Sequence, residues 1–112
     1  MDNQIRSLQQ FLDEAHSVYH AVAALEDMLL AEGYEKLQEQ TLWQLMPGGK
    51  YYMTRGGSSL MAFRVPEKTP GGFMLSASHA DRPCFKVKEN SELVGTYTRL
   101  ATEKYGGMLM ST

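Results

Sequence analysis

The chain has a single cysteine, Cys84, so it can close no internal disulfide and can build no cluster of zinc thiolates. It has no excess of charge of one sign: 11 Lys and Arg are interleaved with 13 Asp and Glu, for a formal net charge of -2. Without a basic face there is no polyanion-binding footprint, and nucleic acid is not an expected partner. No apolar run approaches the roughly 18 residues of a membrane-crossing helix. The opening Met1-Asp2-Asn3-Gln4-Ile5-Arg6 also lacks the basic start and apolar core of a secretory signal. These absences predict a cytoplasmic protein in a reducing compartment, with no membrane partner. Internal repeats and low-complexity linkers are missing too.

What is present suits a packed fold. With 43% apolar and 21% charged residues, the 112-residue chain reads as one globular domain or part of one. Ile5, Leu8, Phe11, Leu12 and Ala15 recur at helical spacing, with Asp2 or Asn3 available as N-cap. Ser17 can cap a second helix whose apolar stripe is Val18, Val22, Leu25, Met28 and Leu29, and Gly33 supplies its C-terminal stop. Residues 34–43 predict a short strand and a turn, with Trp43 packed against a helix. Pro47-Gly48-Gly49 and Gly56-Gly57 bracket a hairpin of 50–55 with 58–65, and 66–71 read as a loop. The run 72–77 is almost continuously apolar, which predicts a strand covered on both faces of a mixed sheet. Further strands are expected at 84–87 and about 93–100.

The most informative stretch is Phe73-Met74-Leu75-Ser76-Ala77-Ser78-His79-Ala80-Asp81. A strand end is a rigid mount for a metal ligand, and a carboxylate bonded to the second imidazole nitrogen fixes a ligating histidine's tautomer and orientation. Taken alone, a His-x-Asp pair is more often a surface histidine beside a carboxylate. His16 and His20 stand four apart beside a helix, a spacing that can bind zinc, but the His-Glu-x-x-His pattern is absent. A solvent-facing His16 and a partly packed His20 are expected. Asp13 and Glu14 have no spacing that converges on His79. Cys84 reads as a small buried residue, the eight methionines as core filler, and the paired glycines as turns rather than phosphate cradles.

A set of motifs in order extends this reading. Ser17-Val18-Tyr19-His20-Ala21-Val22, Pro47-Gly48-Gly49-Lys50-Tyr51-Tyr52, Thr54-Arg55, Gly57-Ser58-Ser59-Leu60, Ser78-His79-Ala80-Asp81-Arg82-Pro83-Cys84 and Tyr105-Gly106-Gly107 run through nearly the whole chain. Together they resemble the amino-terminal portion of the aspartyl aminopeptidase family of dinuclear zinc metallopeptidases. Arg82 stands where that family usually has Ser.

The resemblance implies an α/β fold: two N-terminal helices packed on a mixed β-sheet, residues 1–112 forming a single partial domain of a zinc-peptidase catalytic domain. It implies that His79 is the first metal ligand, that Asp81 is the catalytic-site acid that sits behind and orients it, and that His20 lies near the substrate pocket. The implied activity is removal of N-terminal, preferentially acidic, residues from peptides, with two divalent ions, zinc, as cofactors and a closed homo-oligomer as the assembly. Family members place the bridging Asp of a Trp-x-Asp-Arg motif, a Glu-Glu pair and the remaining Asp and His ligands after the Gly-Gly turn. Those groups are expected beyond residue 112. A catalytic zinc takes three protein ligands and an open position, so this chain alone is expected to be inactive. Two other classes remain open: a non-catalytic module that pairs with a full-length subunit or a peptide through an open sheet edge, and a single-site metal binder completed by another copy.

Overall fold

In the computed structural model of the chain, residues 2–69 and 71–107 are described. The backbone divides into two compact units, Met1–Asp81 and Arg82–Thr112. Pro70, within the expected 66–71 loop, lies outside the described residues, as do Met1, Met108 and Met110.

The first unit opens with helix α1 (Asn3–Glu14), which begins where the Asp2 carboxylate accepts the Gln4 backbone N–H at 3.2 Å. After a break at Ala15 and His16, Ser17 caps helix α2 (Val18–Ala31) with its backbone in the extended region. The C-terminal end of α2 is closed by a pair of reverse bonds, Gly33 N–H to Leu30 O and Tyr34 N–H to Leu29 O, with Gly33 at φ +81°. That left-handed turn costs an L side chain strain that glycine escapes.

Three strands follow: β1 (Glu35–Lys36), β2 (Lys50–Arg55) and β3 (Ser59–Arg64). β1 is parallel to β2, and β3 antiparallel to it in the register Tyr51↔Phe63 and Met53↔Met61, so the sheet is mixed, in the order β1-β2-β3. The expected hairpin is there, with Gly56 and Gly57 both at positive φ in its turn. The expected α/β architecture of two helices and a mixed sheet is thus what the first unit contains.

Its core is built by α2 and β2. Ala21, Val22 and Ala24 are buried on the helix, and Tyr51, Tyr52 and Met53 on the strand. Three consecutive buried residues on β2 mean that both faces of this strand are covered, which fits its place between β1 and β3. Tyr52 is fully buried, and its hydroxyl donates to Glu26 Oε1 of α2 at 3.0 Å. Lys36 Nζ of β1 reaches the same oxygen at 2.6 Å, tying helix, edge strand and central strand at one carboxylate. α1 contacts α2 and has no buried residue of its own.

Several expectations are corrected here. Residues 72–77 form no strand: Phe73, Met74 and Leu75 are almost wholly exposed. A strand needs neighbours to take its N–H and C=O groups, and no described strand pairs with this run. Trp43 stacks on Phe63 of β3, with ring centroids 6.2 Å apart, where a helix contact was expected; Phe63 also faces Tyr51 at 5.8 Å. Of the described methionines only Met53 is buried; Met28, Met46, Met61 and Met74 are exposed, so they fill no core.

The second unit is an antiparallel ribbon of β4 (Cys84–Leu93) and β5 (Arg99–Tyr105), with a register irregularity between Val87 and Glu92 and Asn90 at φ +53°. Leu93 therefore ends the first strand, and residues 94–98 form the connection where the second strand was expected to begin. Cys84 is exposed rather than buried, since a two-stranded ribbon has no second layer of its own to cover it.

Candidate functional site

His79 and Asp81 are brought together. His79 Nδ1 lies 2.9 Å from Asp81 Oδ1, a hydrogen bond between residues two apart in the chain. Because a carboxylate only accepts, Nδ1 carries the proton of this bond in either charge state of the ring, and in the neutral imidazole Nε2 keeps its lone pair. The His79 side chain is 93% exposed and that of Asp81 38%. The stretch carrying the pair lies outside the described strands, so its geometry is not set by a sheet ladder.

His20 is placed elsewhere, in the first turn of α2. Its Nδ1 is 2.8 Å from Ser17 Oγ, and its ring meets that of His16 edge-on, with centroids 5.5 Å apart and planes at 82°. Both histidines are exposed; the expected partial packing of His20 is not found, because the buried face of α2 is carried by Ala21, Val22 and Ala24. The contacts of His20 run to Ser17 and His16, not to the His79–Asp81 pair.

The displaced titrations belong to the scaffold. Glu26 is held below the ordinary carboxylate range first by its bond from Lys36, against the opposing effect of burial, with Tyr52 assisting. Burial, then the Glu26 carboxylate, pushes the Tyr52 phenol up. Arg55 holds the Glu39 carboxyl low through a two-pronged contact on the surface. These groups fasten strands and helix.

Zinc chemistry can be tested against this donor set. An imidazole with Nδ1 engaged and Nε2 outward is the form in which histidine ligates a metal, and Asp81 is the type of carboxylate that orients it. One corner of a metal site therefore fits. The set does not: among the described residues no group of three or more His, Cys, Asp and Glu side chains is placed to hold an ion.

Comparison with known proteins bears on the same stretch. The family model described as aminopeptidase I zinc metalloprotease (M18) matches residues 11–112. The chain belongs to the M18 peptidase family. The protein named "Probable M18 family aminopeptidase 2" of Pseudomonas aeruginosa is 39% identical over 109 residues, covering 95% of this chain and 25% of that protein. Among solved structures, a chain in the cryo-EM structure of the Ape4 and Nbr1 complex is similar with a TM-score of 0.81 and 33% identity, over 88% of this chain and 20% of that one. The S. cerevisiae mApe1 dodecamer is similar with a TM-score of 0.80 and 27% identity, over 96% and 26%. The chain thus spans about a quarter of the length of the M18 relatives it matches.

Sequence reasoning missed two groups. Ser17 was read only as a helix cap, although the Ser-x-x-His spacing already places the residue-20 side chain where a cap hydroxyl can reach it. The Glu26–Tyr52–Lys36 junction carries no sequence signal, since its members come from three elements.

Proposed function

We propose that this chain is the amino-terminal portion of an M18 metalloaminopeptidase that removes N-terminal residues, preferentially acidic ones, from peptides. The observation that carries the reading is the His79–Asp81 bond at 2.9 Å within the stretch matched by the family. In the reading His79 is a zinc ligand through Nε2, Asp81 orients it, and His20 faces the substrate. When bound, zinc supplies an acidified water and a polarised carbonyl. The chain's own contribution to that chemistry is the fixed tautomer of His79. With one candidate ligand, the isolated chain is inactive in this reading, and two ions would be held only with groups from outside it. The similarity to a dodecameric relative supports a homo-oligomer. The lone exposed thiol of Cys84 suits a reducing, cytoplasmic setting.

The test has two arms. The purified chain is assayed for release of N-terminal Asp or Glu from a chromogenic substrate with zinc or cobalt, with a chelator, and as His79→Ala; no release is expected. Chelator-sensitive release lost in His79→Ala would overturn the incompleteness of the site. In the second arm, residues 1–107 replace the matching quarter of the Pseudomonas aeruginosa relative. Zinc-dependent release of acidic residues, abolished by His79→Ala, is expected there; a folded chimera whose aminopeptidase activity ignores His79 would sink the ligand assignment.

A further inference from the structure

The hydroxyl of Ser17 makes two contacts, both with His20. It accepts the His20 backbone N–H at 3.4 Å as the cap of α2, and it lies 2.8 Å from Nδ1 of the His20 ring. A serine hydroxyl has one proton to give and two lone pairs; a neutral imidazole has one N–H and one bare nitrogen. With one lone pair engaged by the backbone N–H, the hydroxyl can meet Nδ1 either with its proton or with its second lone pair. Only the first arrangement uses the hydroxyl proton within the pair.

We propose that Ser17 is a positioning residue that holds His20 in the Nε2–H tautomer, so that His20 offers an N–H donor outward to a peptide carbonyl or carboxylate. The His20 ring also meets that of His16 edge-on, with centroids 5.5 Å apart. His20 is an exposed residue. A donor here suits a carboxylate better than a neutral carbonyl, since a bond to an ionised acceptor is the stronger one. This last step rests on the reading of His20 as substrate-facing; the tautomer does not.

The tautomer is read directly from long-range ¹H–¹⁵N spectra of the ¹⁵N-labelled chain, recorded at a pH where imidazoles are neutral. His20 is expected with a bare Nδ1 and a protonated Nε2, and Ser17→Thr, which keeps the hydroxyl, should give the same pattern. Ser17→Ala should move the ring nitrogens toward the averaged shifts of free imidazole. Ser17→Asp is the decisive variant: it keeps a helix cap but offers only acceptors, so the proton should transfer to Nδ1. A protonated Nδ1 in the unaltered chain, a Ser17→Ala spectrum like the parent's, or a Ser17→Asp spectrum that retains Nε2–H would each overturn the assignment. The substrate step is judged separately in the chimera. There His20→Ala is expected to raise KM for N-terminal Asp and Glu substrates at least tenfold more than for a neutral one; equal KM changes would remove His20 from the substrate reading while the tautomer result still decides the role of Ser17.

Discussion

Asp81 Oδ1 accepts from His79 Nδ1 at 2.9 Å, which decides which nitrogen of the only histidine in the 71–107 segment faces outward. Replacing the carboxylate by an amide keeps the shape and removes the charge that favours this arrangement. In the chimera, Asp81→Asn is expected to lower zinc affinity by about 10 to 100-fold, the usual cost of losing an orienting partner behind a ligating histidine. Zinc titration of the metal-stripped chimera, followed by recovered activity, measures it. An unchanged midpoint would show that Asp81 does not orient a ligand.

Glu26 accepts from Tyr52 and from Lys36, but the two bonds should differ in worth. The Tyr52 hydroxyl is on a fully buried residue, whereas the Lys36 side chain is 39% exposed. Tyr52→Phe is expected to cost about 1.5 to 3 kcal/mol, as for a hydrogen bond to a charged group. Lys36→Met should cost about 0.2 to 1 kcal/mol, as for a solvent-screened pair. Urea unfolding of the two variants compares them directly; a larger loss from Lys36→Met would reverse the ranking of burial over charge.

The same junction makes stability depend on pH. Glu26 is held below its ordinary range, first by Lys36, so the folded state favours its ionised form. Its contribution is therefore present above the unfolded carboxylate value and lost as pH falls through the lower, folded one. Glu26→Gln should flatten the acid side of the stability curve and leave its shape near neutrality unchanged. A parallel downward shift at all pH values, with the acid slope intact, would assign that slope to other carboxylates.

A Cβ at Gly49 would lie 2.5 Å from the Tyr51 ring edge and hydroxyl, while one at Gly33 meets nothing within 4 Å. Tyr51 cannot easily give way: it is buried, faces Phe63, and its hydroxyl accepts the Met46 N–H at 2.9 Å. Gly49→Ala is thus expected to cost about 1 to 3 kcal/mol through overpacking. It should also perturb the near-ultraviolet signal of the aromatic cluster. Gly33→Ala should cost about 1 to 2 kcal/mol through left-handed backbone strain alone, with that signal intact.

What could be read from the sequence was what neighbouring residues decide. Asp2, Ser17 and Gly33 act at helix ends through bonds spanning a few residues, so their types and spacing sufficed. The Gly56-Gly57 hairpin was legible for the same reason. The His79–Asp81 pair is equally local, whereas the rest of a metal site needs groups that spacing cannot bring to it. Trp43 was legible as an anchor but not in its partner, because Phe63 reaches it only through sheet register. The run at 72–77 failed as a strand because an apolar run reports suitability for burial, and burial is supplied by other elements.

That last failure leads to a prediction with opposite signs in two settings. Phe73, Met74 and Leu75 are exposed in the chain and contribute nothing to the core formed by α2 and β2. Leu75→Lys should therefore leave its unfolding free energy within about 0.5 kcal/mol of the parent, as for a surface substitution. By removing one member of a contiguous apolar patch it should reduce self-association, read by light scattering and dye binding. If parts of the chimera outside this chain cover the run, Leu75→Lys there should cost at least the roughly 2 to 5 kcal/mol of a core Leu truncation, with an unpaired buried charge added. Equal, small effects in chain and chimera would show that the run stays on the surface in the longer protein, and the mixed sheet would have to be completed without it.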